Sequence, residues 1–241
     1  MNIKVISVGG SIIAPENPDV AFLTDFVKIT TDWLSQNEDN RLILVAGGGA
    51  PARNYQATFW QVSSNKIDVA KFRNPADESL AADWIGVMAT RLNAELLKSC
   101  FGDLAPESVV IDPTKAPENW QGKVLVAAGW KPGFSSDNDA VLLAEKYGAK
   151  IVINISNIAQ VYTDDPRKNP DAKPLAQMSW PVFIKMVGSE WRPGMNAPFD
   201  PIASKRAADL GLTVICAAGK DNQNTAKILN DEPFIGTFIA N

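Results

Sequence analysis

"VISVGGSIIAP", residues 5–15, carries an uninterrupted apolar strand directly into two glycines and a hydroxyl. A strand without polar alternation is covered on both faces, the condition of a parallel sheet between helical layers. "RLILVA" (41–46), "KVLVAA" (123–128), "KIVINI" (150–155) and "LTVICA" (212–217) read the same way. Helical periodicity fills the intervals, over about 19–36, 51–62, 78–100, 137–148, 178–187, 201–210 and 222–229. Strands alternating with helices predict an α/β fold with a mostly parallel sheet and right-handed crossovers.

The chain has 241 residues, 46% of them hydrophobic, enough for one sizeable core. Lys and Arg number 23 against 27 Asp and Glu, a net charge of −4. No basic surface is therefore expected for a nucleic-acid backbone. No apolar stretch reaches membrane-spanning length and no secretory start is visible, so a soluble, cytoplasmic protein without a membrane partner is expected. Cys100 and Cys216 lie far apart with no C-x-x-C spacing, and both are expected to be buried structural thiols. The chain has no histidine, which removes Ser-His and Cys-His nucleophiles, His-ligated zinc and imidazole acid–base catalysis. Any chemistry must use carboxylates, lysines, arginines, hydroxyls, backbone amides or a bound metal.

Ligands of such sheets gather beyond the carboxyl ends of the strands. Four strands here run into loops of glycine, hydroxyl, amide or acid: "GGS" (9–11), "GGGAPAR" (47–53), "GWKPGFSSD" (129–137) and "NISNIAQVYTDDP" (154–166). Glycines leaving a buried strand for a helix aim free N–H groups at an anion, and Arg53 one turn in favours a phosphate. The Walker pattern is absent. Residues 47–52 also spell G-x-G-x-x-A, with Asp68 at ribose distance, which keeps a dinucleotide fold open as the last alternative. Ser136 or Asp137 is placed to cap the helix over 137–148. Asp83, Gly86 and Thr90 share one face of the helix over 78–100, where Gly86 would allow a ligand close approach. "DPIASKRAADLG" (200–211) has Asp and Pro in the order that starts a helix, with Lys205 one turn in.

Six segments in order, "VGGSIIAPENPD", "VAGGGAPARNY", "DWIGVMATRLNAELL", "PGFSSDNDAVLLAE", "NISNIAQVYTDDPRKNPDA" and "DPIASKRAADLG", resemble the amino-acid-kinase superfamily, and within it the archaeal-type uridylate (UMP) kinases. The resemblance covers nearly the whole chain. It implies a three-layer αβα sandwich over 1–241, with an acceptor lobe of about 1–150 and a nucleotide lobe of about 151–241. It implies ATP with Mg²⁺ as donor, UMP as acceptor, and a homo-oligomer, a dimer or a hexamer of dimers. By position, Gly9, Gly10, Gly49 and Arg53 would contact ATP phosphates, and Ser156, Tyr162 and Asp165 would line the adenine and ribose pocket. Gly48, Asp83, Trp130, Lys131, Pro132, Gly133, Phe134, Ser135 and Ser136 would hold the acceptor, with Asp83 on its ribose hydroxyls. Lys205, Arg53 and Asp137 would be the catalytic residues.

The chain departs from that pattern in several places, among them Trp130 and Lys131, which replace smaller or more neutral residues at the acceptor loop. Ser7 stands where many relatives carry a lysine, and strand alternation points Lys4 to the other face, leaving Lys205, Lys131, Arg53 and Mg²⁺ to supply positive charge. Ala159-Gln160 replaces an Asp-Gly turn, and Asn138-Asp139 adds an acid near the acceptor. Two alternatives therefore stand beside a UMP kinase: a kinase for another small phosphate acceptor, and a non-catalytic binder of nucleotides or oxyanions.

Overall fold

In the computed structural model, residues 1–64, 75–166, 168–188 and 197–241 are described. The predicted strands form β1 (Asn2–Val8), β2 (Asn40–Ala46), β3 (Val124–Ala127), β4 (Ile151–Ser156) and β8 (Thr213–Ala218), all mutually parallel. One continuous seven-stranded sheet runs β3-β2-β1-β4-β8-β9-β7, with β7 at Gln177–Ser179 and β9 at Thr237–Ala240. The expectation of a mostly parallel sheet holds, with β9 the antiparallel exception against β8. β5 (Val161–Tyr162) and β6 (Pro174–Leu175) make a separate two-stranded hairpin. The four short strands lack the apolar runs that revealed the other five. "DDPRKNPDAKP", read as an irregular connection, closes that hairpin, and residues 177–179 are strand rather than helix start.

Helices cover both faces. α2 (Val20–Gln36), α4 (Pro75–Phe101) and α8 (Asn222–Leu229) pack one face around Phe26, Trp33, Leu97 and Leu229. α5 (Ser136–Tyr147), α6 (Trp180–Val187) and α7 (Pro201–Asp209) pack the other around Leu143, Trp180, Phe183 and Ala203. α1 (Gly10–Ile13) is a single turn, and α3 (Gly49–Ser64) pairs with α4. Strand pairing is obligatory for buried backbone groups, and the apolar strands have no second way to satisfy both.

Lys4 shows how alternation along β1 sorts side chains. It is 3% exposed, and its Nζ donates to the Ile228 and Leu229 carbonyls at 3.2 and 2.8 Å and to Asp231 at 2.7 Å. A cation thus caps the carboxyl end of α8, satisfying carbonyls the helix leaves free. Lys4→Met should cost about 2–4 kcal/mol by leaving those buried acceptors unpaired. Asp231→Ala should cost under about 1 kcal/mol, because that carboxylate is 72% exposed. Urea midpoints of the two variants check the order. The two cysteines divide: Cys216 is buried, its thiol pushed up from its ordinary value by burial, whereas Cys100 is exposed, contrary to expectation. Cys100 lies in the last turn of α4, beyond the buried Leu97.

Candidate active site

At the carboxyl ends of β1 and β2 two glycine turns are locked together. Gly9 N–H donates to Ile155 O at 2.8 Å, and Gly47 N–H to Val8 O at 2.9 Å. A Cβ built on Gly10 would lie 2.0 Å from Gly49 N and 2.5 Å from Gly47 C. No side chain fits where two backbones touch, so the diglycine is a requirement of this contact. Gly49 has φ +65 and begins α3 just beyond the carboxyl end of β2, with Ala50 N–H donating to Ala14 O at 3.0 Å. Ser11 Oγ accepts from the exposed Arg53 guanidinium at 3.0 Å, so the cation expected to meet phosphate sits over the first turn. A Cβ on Gly9 would touch Ser156 Cα at 3.3 Å, which places the end of β4 on the same cradle.

α4 ties this cradle to the loop after β3. Asn93 Nδ2 donates to Gly47 O at 2.8 Å and Gly48 O at 3.2 Å, while Thr90 Oγ1 accepts from Gly129 N–H at 2.7 Å. Arg91 donates to Trp130 O at 3.0 Å, and Asp83 accepts from Gly133 N–H at 2.7 Å. Successive turns of one helix therefore hold both loops on one side of the sheet. Gly86 lies at a contact between α4 and α3. A Cβ built on Gly86 would stand 2.7 Å from Gln56 Nε2 of α3, so the absent side chain lets the two helices approach closely. Trp130 and Phe134 pack edge to face at 4.8 Å, with Lys131 Nζ 3.9 Å from the Trp130 ring centroid.

The third piece is acidic. The cap of α5 is Ser135, which accepts from Asn138 N–H, rather than Ser136 or Asp137. Asp137 is thereby free to turn inward. It accepts from Ser7 Oγ at 2.9 Å and from Asp200 N–H at 3.2 Å, joining β1 to the start of α7. Asp200 in turn caps α7 through Ala203 N–H at 2.6 Å. Lys205, one turn further, is exposed. Burial pushes Asp137 up to about 6 and Asp139 up to about 7, with nearby acids adding to both. Burial also raises Asp200.

The buried acids make stability fall with pH. Between about pH 4 and 7 the fold holds protons that the unfolded chain, with Asp near 3.8, has already released. The stabilisation is complete below pH 4 and is lost as pH rises through 6 and 7. The urea midpoint should drop between pH 5 and 8, and Asp139→Asn should gain about 3 kcal/mol at pH 8.

Of the residues expected at the site, Gly9, Gly10, Gly48, Gly49, Arg53, Ser156, Asp83, the 130–136 loop and Asp137 belong to one connected network. Tyr162 and Asp165 stand on the β5–β6 hairpin and the turn that follows β5, where Asp165 O accepts from Lys168 and Asn169 N–H groups. Asp68 lies outside the described residues. Sequence reasoning missed Asn93 and Arg91, although a buried amide on an otherwise apolar helix face is a readable sign of backbone support.

The sequence pattern describing the amino acid kinase family matches residues 2–217. A uridylate kinase of Pyrococcus abyssi is 35% identical over 90% of each chain. One from Methanospirillum hungatei is 33% identical over 98% of this chain and 93% of its own. The crystal structure of the uridylate kinase of Archaeoglobus fulgidus superimposes with a TM-score of 0.80 at 29% identity, covering both chains completely.

Proposed function

The chain belongs to the amino acid kinase family, and from that premise we propose that it transfers the γ-phosphoryl group of ATP to UMP. One observation carries the reading: the glycine cradle and the loop after β3 are both hydrogen-bonded to the same helix, α4. Phosphoryl transfer needs two anions held in line and their charge neutralised, with little covalent work from the protein. Gly9, Gly10 and Gly49 would hold the donor phosphates with Arg53. Ser156, Tyr162 and Asp165 would form the nucleoside side of the donor site. The lobes would divide near residue 150, acceptor before and nucleotide after.

Gly48, Asp83 and the 130–136 loop would receive the acceptor. Asp83 already fixes Gly133, so its second oxygen is the one free to meet a ribose hydroxyl. Mg²⁺ supplies charge neutralisation on the phosphates when bound. Among the described residues no group of three or more acidic or sulfur side chains could hold it alone, so its donors would be mainly phosphate oxygens. Asp137 would orient cations around the transferring group. Among the described residues no helix is long and apolar enough to cross a membrane. The exposed Trp84, Met88 and Leu92 on α4 support association of copies, which light scattering would detect.

Purified protein given ATP, Mg²⁺ and a panel of nucleoside and other small monophosphates should form ADP with UMP above all others. Turnover with a different phosphate would make this a kinase for that acceptor. Tight ATP binding without ADP would favour a non-catalytic binder. That second reading draws on Ser7, which is 2% exposed and puts a hydroxyl where a cation would serve.

A further inference from the structure

The 130–136 loop is held by backbone bonds, and one of its anchors is unusual. Asp139 is fully buried; its Oδ2 accepts from Trp130 N–H at 3.1 Å, and its Oδ1 has no hydrogen-bond partner among the described residues. The other side of the same residue is also gripped, since Arg91 donates to Trp130 O at 3.0 Å. Two side chains from two helices thus clamp Trp130, whose ring packs on Phe134 and carries Lys131 above it. Moving Trp130 would move the whole aromatic and cationic arrangement of the loop.

We propose that Asp139 is a positioning residue: by fixing the Trp130 peptide it sets the 130–136 loop in the form that receives the acceptor. The role rests on the reading of that loop as the acceptor site. A buried acid is an expensive anchor where an uncharged acceptor would serve. The charged groups around it are Asp137 on its own helix, Asp200 at the start of α7, Asp112 before β3 with Lys115 at 3.3 Å, and Arg91 on α4. Burial above all, with these three acids adding to it, raises the Asp139 carboxyl to about 7, so that it is neutral below that pH and ionises above it. A neutral carboxyl still accepts from Trp130 N–H and adds no negative charge beneath a loop meant to bind a phosphate. Ionised, it keeps the bond but adds that charge, and the affinity for an anionic acceptor falls.

Two measurements on the full chain test this. Hydrogen exchange at the Trp130 amide, followed without ligand, should be at least about tenfold faster in Asp139→Ala and unchanged in Asp139→Asn. Equal protection in the alanine variant would overturn the proposal, whatever the substrate proves to be. Steady-state kinetics then gives KM for UMP and for ATP from pH 5.5 to 8.5. The alanine variant should raise KM for UMP about tenfold with KM for ATP unaltered. The ratio of wild-type to Asp139→Asn KM for UMP should rise above pH 7, a comparison in which titration of UMP itself cancels. A ratio flat with pH, or equal rises in both KM values, would leave Asp139 a merely structural residue. Failure of UMP turnover in the wild type would strike the kinase reading alone, since amide exchange decides the clamp without it.

Discussion

Lys205→Ala should reduce ADP formation by about 10²–10³, the effect of removing one preorganised charge from a phosphoryl-transfer site. The lysine lies one turn into α7, whose cap residue Asp200 donates its N–H to Asp137, and Asp137 accepts from Ser7 at the tip of β1. Its side chain is exposed, so stability should change by less than about 0.5 kcal/mol. Loss of rate without loss of fold distinguishes a charge supplied to the substrate from one supplied to the structure. Ser7→Lys is the companion. It would place a cation within reach of Asp137 and Asp200, two acids that now stand close together in a dry site, and little harm to turnover is expected. In the double variant that new cation should recover part of the rate. A fully active Lys205→Ala enzyme would show that the positive charge comes from elsewhere.

Gly10→Ala should be severely damaging, since its added Cβ makes the shortest contact of any described glycine. Its Cβ would stand 2.0, 2.5 and 2.6 Å from Gly49 N, Gly47 C and Gly48 C, all backbone atoms that no rotamer change can withdraw. The two turns would have to separate, at a cost of about 3 kcal/mol or more. Separation also spreads the amides that would surround the donor phosphates, so ATP affinity should fall with stability. Gly102→Ala is the control: nothing lies within 4 Å of its added Cβ, and only φ +52 opposes it. That change should cost about 1–2 kcal/mol and leave ATP binding intact. Calorimetric melting and ATP titration of both variants check the contrast. A Gly10→Ala protein that melts and binds like the wild type would mean the turns are not locked to one another.

Much of this protein is local in origin. Continuous apolar runs such as "VISV" and "RLILVA" announce strands covered on both faces whatever their neighbours are, and Asp-Pro at 200–201 starts a helix by capping alone. Ser135 shows the limit of such reasoning. Three successive residues could cap α5, and the choice fell on the first because Asp137 found better partners in Ser7 and Asp200. β9 shows another limit: a four-residue strand whose partner precedes it by some twenty residues has too short a pattern to be read alone. Gly86 shows a third, since an absent side chain signals close approach without naming what approaches.

The sequence by itself determined the five apolar strands of the sheet, the glycine-tipped ends among them and the absence of imidazole chemistry, because each depends only on residue type and spacing. The tertiary structure decided which backbone fills the space beside Gly10, which carboxyl is left dry at Asp139, and which helix binds the two loops into one site. Those outcomes turn on contacts between residues tens of positions apart, such as Asn93 with Gly47 and Asp83 with Gly133. Burial and pairing act through distance in space, and no local pattern carries that distance.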